Sequence, residues 1–200
     1  MEDQEQIRQF LEKAESIADY LKLELVRREE TDKHVTLVRG YSNGRPYGLY
    51  LQLNWRNPSQ IYVSGCWPLD DKGRHVLYNG SSTKDCPEGI NVSINKSAEQ
   101  ISKDIKRRYL PEYLKAEALA LERINSSRSF HKERYVMLTE IGRLIGSEPN
   151  ETQDGDWTLS AWNTIPGLES VKASGTSEVE LKVCLPFDKA AKLVKLLVTL

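Results

Sequence analysis

Apolar positions in the first twenty residues recur at helical spacing. Ile7, Phe10, Leu11, Ala14, Ile17, Ala18 and Leu21 trace one face. That period predicts an amphipathic helix packed on a sheet, with ~2 kcal/mol gained for each large side chain it buries. The period then falls to two. Leu21, Leu23 and Leu25 alternate with Lys22 and Glu24, and Val35 and Leu37 with Thr36 and Val38. Asn43-Gly44 marks a hairpin turn. Leu49, Leu51, Leu53 and Trp55 share one face of the next segment, and Tyr50, Gln52 and Asn54 the other. After Asn57-Pro58, Ile61, Val63, Gly65 and Trp67 alternate with Tyr62, Ser64 and Cys66. Asp70 to Gly73 reads as a turn, His75 to Tyr78 as a short strand, Asn79 to Gly89 as loop, and Ile90 to Ile94 as the closing strand. Short connections and clean alternation predict an antiparallel meander with one face on helices and one face partly open.

A capped helix follows the meander. Ser97 and Gln100 have capping-box spacing, and Ile101, Ile105 and Tyr109 form an apolar stripe. Pro111 predicts a kink or short break at Leu110–Pro111. The helical pattern resumes through Tyr113, Leu114, Ala118, Leu121 and Ile124. Asn125 to Ser129 reads as a joint, and a further helix runs from Phe130 to Ile145, capped by Gly146. Beyond the polar stretch Ser147–Asp156, a strand is expected over Trp157–Trp162 and a hairpin through Gly175. A last helix is expected to be capped by Asp188 and buried through Ala191, Leu193, Val194, Leu197 and Val198. The fold class is therefore α+β. An antiparallel meander packed by an N-terminal helix and a long central helix spans residues 1–127, and a smaller α-β-β-β-α unit spans 128–200.

The formal net charge of -1 gives no bulk argument for nucleic acid or membrane. The acidic start Met1-Glu-Asp-Gln-Glu lacks the apolar segment of a signal peptide, and no apolar run reaches ~20 residues. Three scattered cysteines, Cys66, Cys86 and Cys184, then fit reduced thiols, and the expected location is cytoplasmic.

Chemistry is sparse. His34, His75 and His131 belong to no catalytic or zinc motif, and Cys66, His75 and Cys86 match no standard ligand spacing. Asp70-Asp71 and Asp154-Gly-Asp156 read as solvated turn caps, and no basic partner is evident for Asp85 or Glu88. No cofactor or metal is expected. The most suggestive feature is the outer face of the meander. Tyr50, Gln52, Tyr62 and Ser64 project from it, with Arg39, Arg45, Arg56 and Arg74 at nearby turns and strand ends. Tyrosine and arginine are favoured at protein interfaces and also stack bases and grip phosphates, while tyrosine is simply common in sheets. Lys103, Lys106, Arg107 and Arg108 add a basic cluster on the central helix, diluted by Asp104 and Glu112.

Val92-Ser-Ile94, Ile101 to Arg108, Leu110-Pro-Glu-Tyr113 and the ending Val179 to Pro186 resemble uncharacterised small proteins of bacterial phages and mobile elements. That resemblance implies an accessory role in a bacterial cell and carries no site residue with it. Together these features lead to a non-enzymatic protein that docks on a protein partner through Tyr50, Gln52, Tyr62, Arg39 and Arg56. The alternatives are a nucleic-acid-binding protein that also uses Lys106 and Arg107, and an enzyme whose site would be a pocket lined by His75, Cys66 or the acidic pairs.

Overall fold

A computed structural model of the chain describes residues 2–26, 33–54, 56–77, 85–152, 157–160, 167–175, 177–190 and 192. The chain divides into two compact units, Met1–Asn125 and Ser126–Leu200. The placements expected for Trp55, Tyr78, Trp162, the Asp154–Asp156 pair and the apolar positions from Ala191 to Val198 lie outside the described residues, as does most of the Asn79–Gly89 loop.

In the first unit, helix α1 (Glu2–Leu21) buries Phe10, Ala14 and Ile17 completely. Leu21 belongs to this helix rather than to the following strand. Lys22 takes a left-handed conformation (φ 58), and the Leu23 amide donates back to the Ala18 carbonyl at 3.0 Å, closing the helix end. Five antiparallel strands follow in sequential order: β1 (Glu24–Val26), β2 (His34–Ser42), β3 (Arg45–Leu53), β4 (Gln60–Cys66) and β5 (Ile90–Ser93). Asn43 (φ 50) and Gly44 (φ 69) both adopt positive φ in the β2–β3 hairpin, as a two-residue type I′ turn demands. The register places Val35 opposite Leu51 and Leu51 opposite Val63, so one face carries an unbroken apolar row. A bulge between Val38 and Gly40 shifts that register toward the hairpin tip.

Beyond β4 the expected strand at His75 is reduced to one bridge between Leu69 and His75. The loop is held by a backbone bond from the Asp70 amide to the Arg74 carbonyl at 3.0 Å together with side chains. The Asp70 carboxylate accepts the amides of Lys72 and Arg74 at 3.0 and 2.7 Å, and the Ser42 hydroxyl donates to the Leu69 carbonyl.

Helix α2 (Ala98–Arg108) starts as its sequence requires. Ser97 Oγ accepts the Gln100 amide at 3.2 Å, and Gln100 Oε1 accepts the Ser97 amide at 3.1 Å. The expected break falls one residue early, at Tyr109 (φ -121, ψ -46). Helix α3 (Leu110–Ile145) then begins with Pro111 in its first turn, where a missing amide costs nothing. The joint expected at Asn125–Ser129 is instead the interior of α3. That stretch contains no Gly or Pro, its serines are only weakly unfavourable in a helix, and Ser129 Oγ donates to Glu133 at 3.0 Å. The inward face of the sheet is closed by one cluster that joins Phe10 and Ile17, Ile101 and Ile105, and Tyr113, Ala116 and Ala120 to the strand residues.

The second unit carries a four-stranded antiparallel sheet in the order β6 (Pro149–Glu151), β7 (Trp157–Ser160), β8 (Leu168–Ser174) and β9 (Glu178–Val183). Strand β6 lies where only a polar stretch was expected. Pro149 is tolerated because β6 is an edge strand. Gly146 (φ 71) ends α3 as expected. Leu138, Leu159, Val171 and Ala173 form the described core, and Arg134, 6% exposed, donates to the Ala173 carbonyl. After β9, the amides of Lys189 and Ala190 both reach the Pro186 carbonyl at 3.0 and 2.9 Å, so Asp188 sits inside this helical turn rather than capping it. Among the described residues, no helix is long and apolar enough to cross a membrane.

Candidate functional site

Strand alternation sends one row of β2, β3 and β4 into the core and the other to the opposite face. On that outer face His34, Gln52, Tyr62 and Asn91 lie in one cross-strand row. Thr36, Tyr50 and Ser64 form the next. Tyr50, Gln52, Tyr62 and Ser64 are all half-buried, and none belongs to the cluster under the helices. The Tyr62 ring rests against Gly89, where any side chain would collide with it. Tyr50 instead meets His34, ring centroids 5.4 Å apart and tilted by 31°.

Tyr50 lies in a groove of about 740 Å³. Thr36, Tyr50 and Cys66 come from the sheet, and Leu69 and His75 from the loop that follows β4. Val26 and Pro46 add apolar wall, and His34 and Arg45 add basic groups. None of the described lining residues is Asp or Glu. The nearby Asp70 carboxylate is already bound to Arg74 Nε at 2.8 Å. Among the described residues the groove is therefore a partly apolar recess with one formal positive charge, at Arg45, and an aromatic side. Burial pushes the Cys66 thiol above its ordinary pKa, and Sγ lies 3.5 Å from the Pro46 carbonyl as its donor. It is a packed, protonated thiol, not a thiolate nucleophile.

The remaining residues singled out in the sequence lie elsewhere. Arg39 Nε is 2.7 Å from Glu117 Oε2, and Glu117 is buried at 8% exposure. Arg39 itself is exposed and reaches the buried Glu117, which lies beside Tyr113. Burial first, and then the Glu117 carboxylate, pushes the Tyr113 hydroxyl far above its ordinary pKa. Tyr113 also stacks on Trp67 at 4.9 Å. Arg56 is exposed in the β3–β4 turn, where its amide donates to Asn54 at 3.0 Å. Lys106 and Arg107 lie on α2, whose buried residues enter the core from the helix side of the sheet. Lys106 donates to the Tyr20 carbonyl at 3.2 Å, and Arg107 pairs with Asp104 at 3.2 Å. The seven residues thus do not form one surface: Tyr50, Gln52 and Tyr62 share the outer face, and Lys106 and Arg107 do not.

Cys66 and His75 both line the groove, whereas Cys86 lines a separate depression with Asp85, Glu112 and Lys115. Among the described residues, no three His, Cys, Asp or Glu side chains converge as a metal site would require. Asp85 does have a basic partner, Arg123, at 2.7 Å. Sequence reasoning passed over His34, Pro46 and Leu69 as parts of the site. Thr36 and His34 were legible as outward positions from the alternation around Val35. Leu69 was not, because a loop held by side-chain hydrogen bonds leaves no period.

No family model, no curated protein and no solved structure matches the chain.

Proposed function

We propose that this chain is a non-enzymatic binding protein of a bacterial phage or mobile element, acting in the host cytoplasm and docking on a protein partner through the outer face of its first sheet. One observation carries the reading: Tyr50 sits in a groove on the face opposite the helices, flanked by His34, Arg45 and apolar wall, with no carboxylate among its described lining residues. An aromatic ring in a recess rimmed by basic groups is the kind of feature that anchors an interface. The groove also holds Cys66 and His75, the pair that an enzyme reading calls for. Chemistry favours binding over catalysis, because the thiol is protonated and none of the described lining residues is a carboxylate that would orient a histidine base. A nucleic-acid reading gains less support, since Arg39 is tied to Glu117 and Lys106 and Arg107 lie in the helix layer.

The test is quantitative capture from a phage-bearing bacterial host. The intact chain is compared with Tyr50→Ala and with Lys106→Ala/Arg107→Ala. The expected result is a partner protein whose retention falls at least about tenfold with Tyr50→Ala and is unchanged in the double variant. Equal retention by all three chains sinks the proposal. Salt-sensitive retention of DNA or RNA, lost only in the double variant, would replace it with the nucleic-acid reading.

A further inference from the structure

The second unit carries an edge that fits a second copy of itself. Strand β9 ends the sheet, and all six of its residues are exposed. Its polar side chains and its apolar ones face opposite ways. Val179, Leu181 and Val183 lie opposite Ala173, Val171 and Leu168 of β8, on the face that holds the unit's core. They are 37%, 58% and 39% exposed, so among the described residues that core face continues to the sheet edge without a cover. Glu180 and Lys182 lie on the other face, opposite Lys172 and Ser170 of β8, and Lys182 also meets Glu169 at 2.7 Å.

We propose that β9 pairs with β9 of a second copy of this chain, antiparallel about a two-fold axis through Leu181. An unpaired edge strand offers a row of backbone donors and acceptors to any strand. The side chains of β9 choose the partner and the register. With the axis at Leu181, Val179 of each copy faces Val183 of the other, and Leu181 faces Leu181. On the opposite face Glu180 of each copy faces Lys182 of the other. The charges then alternate across both sheets as Lys172, Glu180, Lys182, Glu169. Moving the axis to Val179 or to Glu180 sets glutamates opposite each other, and moving it to Val183 brings Pro186, which lacks an amide, opposite Glu180. A one-residue slip sets charged residues opposite apolar ones. Parallel pairing in register places like charges together. Only one register satisfies both faces, and it closes as a symmetric dimer rather than an open fibre. The contact is at the small end of interfaces, so dissociation is expected on the order of 10 µM.

Sedimentation equilibrium on the full chain from about 1 to 200 µM tests this. The intact chain is expected to pass from monomer to dimer in that range. Glu180→Lys alone and Lys182→Glu alone each place like charges in both cross-strand pairs, and each is expected to weaken the dimer about tenfold or more. An equimolar mixture of the two variants restores opposite charges at both positions and should recover the dimer. Circular dichroism of each variant matching that of the intact chain assigns the loss to pairing rather than unfolding. A monomer at every concentration overturns the proposal, and so does a mixture no more associated than either variant alone.

Discussion

Among the described residues of the first unit, twenty-one buried ones form one cluster that joins the inward side of β2, β3, β4 and β5 to three helices. In the second unit the described cluster has four, and the apolar side chains of its last strand are left exposed. The two units use the same ingredients, antiparallel strands and α3, yet differ in how many faces of each element are closed. Free energy from burial grows with the apolar area removed from water. The first unit can therefore stand on its core and leave a polar-aromatic face for binding. The second, whose described core is small, gains from any surface that covers the exposed apolar row of β9. Exposed groups thus mean different things in the two units. Around Tyr50 they are polar and aromatic and belong to a recess, while along β9 they are aliphatic and continue the face of the described core.

The largest expected effect would sharpen that contrast directly. Leu51→Ala removes a fully buried side chain from the centre of the large cluster and is expected to cost about 3–4 kcal/mol, lowering the main denaturant midpoint. Leu159→Ala makes a comparable cavity in the second unit. Its expected result is loss of amide exchange protection in β7 and β8, with protection of the first sheet retained. Simultaneous loss in both sheets would erase the distinction between the units.

A smaller effect is expected at the part-buried Arg39–Glu117 pair. Arg39→Ala leaves Glu117 buried without its 2.7 Å partner and is expected to destabilise by about 2 kcal/mol. Adding Glu117→Gln removes the orphaned charge and should recover part of the loss in a double-mutant cycle. Additive losses would show that Arg39 acts through packing alone.

The smallest effect concerns the loop beside the groove. Burial alone would raise the pKa of Asp70, but the amides of Arg74 and Lys72 and the Arg74 guanidinium outweigh it and hold the carboxyl below its usual value. The charged form is the one stabilised in the fold. Its contribution is complete above the unfolded value of ~3.9 and is lost as pH falls through the lower folded value. Asp70→Asn is therefore expected to lower stability by about 0.5 kcal/mol at pH 7, with the difference shrinking as pH falls below ~3.9. A difference that persists unchanged below that pH would assign it to lost hydrogen-bond geometry instead of charge.

Local pattern carried much of this protein. The period of α1, the alternation through β2, β3 and β4, the Asn43-Gly44 turn and the Ser97 capping box all rest on neighbours within a few residues, so they can be read from the chain itself. Reading failed where distant or competing interactions decide. Asn125 to Ser129 reads as a joint because serine favours caps, yet the stretch lacks a breaker and continues as helix between stronger formers. Pro149 argues against a strand until β6 is known to be an edge. Arg39 and Arg45 look alike as arginines near strand ends. Only the tertiary structure pairs Arg39 with Glu117 of α3 and sets Arg45 at the groove. Alternation determines which side of a strand a residue occupies. What lies above that side depends on segments far away in the chain, and that was decided only when the helices packed on one face of the sheet and the loop after β4 folded beside the other.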